Sequence, residues 1–171
     1  MKNLRIKKHQ ILTLTLLSTM FFLSGCIFES NEDHVTEVFP VEFVFSMVDA
    51  AINGDVASVQ FQVGSVTPNV VDNGAILAYF REQGTWTAMP YTFGVESPDL
   101  PAVDYTITLG YGYDDGLIEV FYEASTPEAP LLEQPDRLIK AVIIEDLGVI
   151  SQANVDLNDY ESVKAFLNLQ D

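Results

Sequence analysis

The chain has one cysteine, Cys26, and two histidines, His9 and His34, in 171 residues. A single cysteine closes no disulfide within the chain, so stability has to come from a hydrophobic core alone. Zinc sites draw on several Cys or His ligands. Histidine-dependent nucleophilic catalysis needs an imidazole held rigidly against its Ser or Cys. His9 lies in a basic N-terminal stretch and His34 in a polar one, so the sequence offers neither arrangement. Bases are scarce too. After Cys26 only Arg81, Arg137, Lys140 and Lys164 stand against all 25 acids. Nucleic-acid binding through phosphates needs clustered Lys and Arg, which excludes that partner, and attraction to anionic lipid fails on the same ground. Long apolar runs are missing as well: Ile11 to Leu23 is 13 residues, against about 20 for a membrane-spanning helix.

What is present begins at the N-terminus. Met1 to Gln10 carries Lys2, Arg5, Lys7 and Lys8 and no acid. The apolar run follows, and Leu23-Ser24-Gly25-Cys26 ends it. A basic segment, a short apolar one and small residues before a break form the pattern of a cleaved signal peptide. The tetrapeptide resembles the lipobox of bacterial lipoproteins, whose cysteine is diacylated on sulfur before cleavage. The resemblance implies that residues 1–25 are a signal peptide and that Cys26 is the lipidation site. The membrane is then the partner, reached through fatty acyl chains such as palmitate. Each buried methylene contributes about 0.8 kcal/mol, so one chain holds marginally and two or three hold almost irreversibly.

Removing residues 1–25 leaves 146 residues with four bases and 25 acids, a net charge of −21. Residues 26–36 read as the acylated cysteine and a polar tether with Glu29, Glu32, Asp33 and His34. Residues 37–171 are expected to form one domain, a length that suits a single core. An acidic cluster soon after the lipidated cysteine is similar to a surface-export signal of some Bacteroidetes lipoproteins, but here the acids are scattered. The expected location is the outer membrane, with the periplasmic and cell-surface faces both open.

From Val35 the apolar pattern has period two, with turn signals at regular spacing. Val41, Phe43, Phe45 and Met47 share one face. Asn53-Gly54 is a turn signal, and Val59, Phe61 and Val63 then alternate with polar residues. Pro68 and Asp72-Asn73-Gly74 break the chain. Ala75 to Phe80 is apolar on both faces, as in a central strand. Gln83-Gly84 turns into Thr85 to Met89, with Trp86 expected in the core. Tyr105, Ile107, Leu109, Tyr111 and Tyr113 share a face, Asp114-Asp115-Gly116 turns, and Ile118, Val120 and Tyr122 run back. Leu138 to Glu145 is a further strand. Only at the end does the period become helical, with Asn158 as N-cap, Glu161 three residues on, and Tyr160, Val163, Phe166 and Leu167 following. That helix is expected to pack on a sheet edge or sandwich end. The fold class is mainly β, an antiparallel immunoglobulin-like sandwich with a short C-terminal helix.

The stretches Gly74-Ala75-Ile76-Leu77-Ala78-Tyr79-Phe80 and Trp86-Thr87-Ala88-Met89-Pro90-Tyr91-Thr92-Phe93 resemble a core motif of small Bacteroidetes lipoproteins. In that family a hydrophobic strand is followed by Trp, two residues, Leu-Pro and Thr-Phe. The strand Ala141 to Glu145 and Val155-Asp156-Leu157-Asn158-Asp159-Tyr160 are similar as well. The likeness covers Gly74 to Leu169. Met89 stands where the family favours Leu, and the collagen-like Gly-X-Y tract of some members is missing. The resemblance implies location and architecture and assigns no reaction.

No cofactor is expected. Paired carboxylates could serve a glycosidase, but Glu119 and Glu123 alternate outward from the hydrophobic face, as solvated residues do. Asp114 and Asp115 are candidate calcium ligands, although turn chemistry accounts for them. Read as an EF-hand loop from Asp156, the C-terminal segment has Glu161 where Gly is required and Leu167 where a bidentate Glu belongs. Tyr111 and Tyr113 beside Gly110 and Gly112 are candidate stacking residues for a sugar or other flat ligand, with core packing as the other reading. The expectation is a non-catalytic, lipid-anchored interaction or envelope-structural module, with a glycan- or small-ligand-binding lipoprotein as the alternative. An envelope protein or a glycan is the expected partner.

Overall fold

The computed structural model describes residues 37–96, 103–127, 129–151 and 154–170, all within one unit, Thr36–Asp171. The signal-peptide and tether segments, Cys26 and His34 included, lie outside the described residues. Two antiparallel sheets make up the described part. One has the order β1 (Val38–Phe45), β9 (Arg137–Ile144), β4 (Ala75–Glu82), β5 (Thr85–Ala88). The other has the order β2 (Ala51–Asn53), β3 (Val56–Gln62), β8 (Leu117–Ala124), β7 (Val103–Asp114), β6 (Tyr91–Glu96).

Turn chemistry sets the hairpins. Gln83 and Gly84 both have positive φ, 48° and 89°, between the paired Glu82 and Thr85, which is the I′ pattern. Gly54 alone is positive between Asn53 and Val56, as a II′ turn requires. The β7–β8 hairpin turns at Asp115-Gly116, with Gly116 at φ 73°.

Alternation sets the core. Val41, Phe43, Phe45 and Met47 join one cluster with Ile107, Leu109, Ile118, Val120 and Ile139, drawn from both sheets. The inward rings pair, Phe43 on Phe61 at 4.1 Å and Phe45 against Tyr122 at 5.1 Å. β4 and β9 are apolar on both faces because both are covered. Ile76, Ala78, Phe80, Ile139, Ala141 and Ile143 face the cluster between the sheets. Tyr79, Val142 and Ile144 face a second cluster on the outer side, with Ile150, Tyr160 and Val163.

The C-terminal helix, α3 (Tyr160–Leu167), supplies that second cluster. It therefore packs on the outer face of the four-stranded sheet rather than on an edge or end. The reason is that Val142, Ile144 and Tyr79 would otherwise stand in water, and burying each such side chain contributes about 2 kcal/mol. The N-cap is Asp159, whose carboxylate accepts from the Glu161 N–H at 3.1 Å and the Ser162 hydroxyl at 2.6 Å. Asn158, the expected cap, is instead held by the Asp156 carboxylate, which accepts from its N–H at 3.0 Å, so the helix starts one residue later.

Two short helices were not legible in the apolar pattern. α1 (Pro68–Asn73) has Thr67 as N-cap and Pro68 in its first turn, a cap signal in a stretch read as a break. α2 (Gly148–Ser151) follows β9.

Candidate functional site

The densest group of polar and aromatic side chains lies on the outer face of the four-stranded sheet. Strand register builds it: Glu42 on β1 is opposite Lys140 on β9, which is opposite Tyr79 on β4, which is opposite Ala88 on β5. These four form one outward row, and Tyr160 at the start of α3 closes over it. Lys140 is only 7% exposed, yet it carries a charge. Its Nζ is 2.9 Å from the Glu42 carboxylate and donates to the Tyr160 hydroxyl at 3.0 Å. It also stands over the rings of Trp86 at 4.6 Å and Tyr160 at 4.5 Å, so its charge is met by a carboxylate, a hydroxyl and two π-faces. Burial works to lower its pKa, but the hydrogen bonds to Glu42 and Tyr160 outweigh it and leave the ammonium raised.

Around this ammonium the rings are committed to one another. Tyr79 meets Tyr160 edge-on at 5.3 Å and donates its hydroxyl to the Leu157 carbonyl at 2.8 Å. Burial pushes the Tyr79 hydroxyl far up from the ordinary tyrosine range. Trp86 lies 5.8 Å from Tyr160, with the Arg81 guanidinium 5.6 Å over its ring. Trp86 thus packs outside the inter-sheet core where it was expected. Its partner across the ladder is Arg81, an outward residue, and register gives both the same face. Lys140 was missed by sequence reading, although one signal was present: it is the single charge inside the apolar run Leu138 to Ile144.

The second charged group caps an end of the inter-sheet core. Arg137 donates through Nε to the Tyr122 hydroxyl at 3.2 Å, pairs with Glu82 at 3.3 Å and lies over Phe80 at 5.3 Å. Burial raises the Tyr122 pKa, and the hydrogen bond from Arg137 offsets part of that.

Tyr111 lies half-buried against the inter-sheet cluster, and its hydroxyl donates to the Ile76 carbonyl across the sheets at 2.7 Å. Burial raises its pKa. Tyr113, two residues on, is 38% exposed. The neighbouring glycines differ. Gly112 has open space where a Cβ would go, whereas Gly110 is covered by the Phe121 ring, whose Cζ would stand 2.5 Å from that Cβ. Gly110 therefore seats a ring on the outer face of the five-stranded sheet instead of exposing Tyr111. In the Asp114-Asp115 turn the Asp114 carboxylate accepts from the Asp115 N–H at 2.8 Å. Among the described residues no group of three or more His, Cys, Asp or Glu converges on a point where a metal ion could sit, and no helix is long and apolar enough to cross a membrane.

No protein-family model, curated protein or solved structure matches the chain.

Proposed function

We propose that the chain is a lipid-anchored outer-membrane protein of the small Bacteroidetes lipoprotein kind, whose domain is a non-catalytic interaction or structural module. The basic N-terminus, the short apolar run and Leu23-Ser24-Gly25-Cys26 support the anchor. One observation carries the reading of the domain. The side chains of its densest polar and aromatic group are committed to one another, Lys140 to Tyr160 and Tyr79 to the Leu157 carbonyl, and between the sheets the Tyr111 hydroxyl is likewise committed to the Ile76 carbonyl. The immunoglobulin-like sandwich is part of the same proposal, supported by the all-antiparallel pairing and by the cluster that the two sheets share.

The test is fractionation of cells making the chain and its Cys26→Ala variant. The expected result is that the chain stays with outer membranes and the variant accumulates unprocessed or is released. A variant that is processed and retained like the original overturns the anchor. Protease shaving of intact cells then reads which face the domain occupies.

A second reading, a glycan- or small-ligand-binding lipoprotein, is favoured by the exposed Tyr113 ring near the β7–β8 turn. Tyr113→Ala with lost retention on a glycan array and an unchanged melting temperature supports it; unchanged retention overturns it.

A further inference from the structure

The edge strand β2 stands beside an apolar hollow of about 330 Å³, lined by Ile52, Pro127, Pro130, Leu131 and Leu132 with Glu133 at its border. Leu131 is buried beneath it, while Ile52 is 48% and Leu132 62% exposed. Val48, in the loop leading to β2, is 92% exposed. Apolar side chains grouped this way at a surface mark a site of association rather than packing.

Among the described residues the backbone beside the hollow is paired on one side only. There β2 ends its sheet, bonded to β3. Asn53 and Val56 flank the two-residue turn, so they form the hydrogen-bonded pair of the ladder. The next pair, Ile52 and Ala57, is then the non-bonded kind, which directs the Ile52 N–H and C=O away from β3. One residue thus offers a donor, an acceptor and an apolar side chain on the open side. An added strand uses this combination, its main chain bonding the edge and its alternate side chains filling the pocket.

Charge selects the occupant. Glu133 borders the hollow, and Asp49 and Asp55 lie in the loops on either side of β2. The described bases lie elsewhere: Arg81, Arg137 and Lys140 are on the four-stranded sheet and Lys164 is on α3. The chain's own N-terminal segment carries Glu29, Glu32 and Asp33 and would bring like charge. A second copy pairing β2 to β2 would set the same acids face to face, which is destabilising. We propose that the β2 edge and its hollow receive an extended segment of a partner protein in which apolar residues alternate with Lys or Arg. The proposal rests on the domain being an interaction module, and Cys26→Ala fractionation tests the anchor separately.

The experiment uses the full chain in detergent and a fluorescent peptide alternating Lys with Val or Ile. Its comparison is the same peptide with Glu for Lys. The Lys peptide is expected to bind at least about tenfold more tightly, with affinity falling as salt rises. Leu132→Ser and Ile52→Asp are each expected to weaken it about tenfold, as loss of an anchor residue does. Leu132 is exposed, so its variant keeps the melting temperature. Equal binding of the two peptides, or unchanged affinity in folded Leu132→Ser, overturns the proposal. So does a concentration-dependent dimer that Leu132→Ser abolishes, since the occupant would then be a second copy.

Discussion

The Lys140 ammonium donates to the Tyr160 hydroxyl at 3.0 Å while lying 4.5 Å from the centre of the same ring. This contact joins β9 to the first residue of α3 across the outer face of the sheet. Tyr160→Phe keeps the ring and removes the hydroxyl, so it is expected to cost about 1 kcal/mol. Tyr160→Ala also removes the packing against Tyr79 and Trp86 and is expected to cost about 3–5 kcal/mol. Urea denaturation followed by Trp86 fluorescence checks both. Equal costs for the two variants would place the stability in the hydroxyl alone.

Gly110 and Gly112 are two residues apart on one strand and predict opposite outcomes. A Cβ at Gly110 meets the Phe121 ring, while at Gly112 it meets nothing within 4 Å. Gly110→Ala is expected to destabilise by about 1–3 kcal/mol through overpacking. Gly112→Ala is expected to stabilise by about 0.5–1 kcal/mol through reduced chain entropy. Adding Phe121→Ala to Gly110→Ala should make the alanine nearly harmless, a non-additivity that a double-mutant cycle reads directly.

Alkali should unfold the domain. Burial raises the hydroxyls of Tyr79, Tyr111 and Tyr122 above the ordinary value, which is about 10 in an unfolded chain. Their folded forms hold protons that the unfolded chain releases. The associated stability is therefore complete below about pH 10 and is lost as pH rises above it. Ultraviolet titration is expected to show Tyr79, Tyr111 and Tyr122 ionising together with loss of the β-sheet circular dichroism signal. Ionisation of these three with the fold intact would contradict the burial.

Legibility in the sequence followed the strength of local signals. The alternation in Val41 to Met47 and in Tyr105 to Tyr113 named the inward residues, because period two leaves only two choices of face. Ala75 to Phe80 read as covered on both sides for the same reason. What covers the second side was not legible. The helical spacing of Tyr160 and Val163 was visible, but its docking surface depends on Lys140, Val142 and Ile144, which belong to a distant strand. Trp86 was placed in the wrong layer because Thr85 to Ala88 is too short to reveal its facing; the register with Arg81 decides that. α1 spans six residues, fewer than two helical turns, so only its Thr67-Pro68 cap could have announced it. In the candidate site, Tyr111 was visible as a residue, but its hydrogen bond to Ile76 depends on two sheets meeting.

The anchor is the claim on which location and partner both depend, and intact mass spectrometry of the chain purified from membranes tests it most directly. The account predicts a chain beginning at Cys26 whose N-terminal peptide carries the added mass of fatty acyl chains, removed in part by alkaline hydroxylamine or base. A chain beginning at any other residue, or an N-terminal peptide with a free Cys26 thiol, would contradict it.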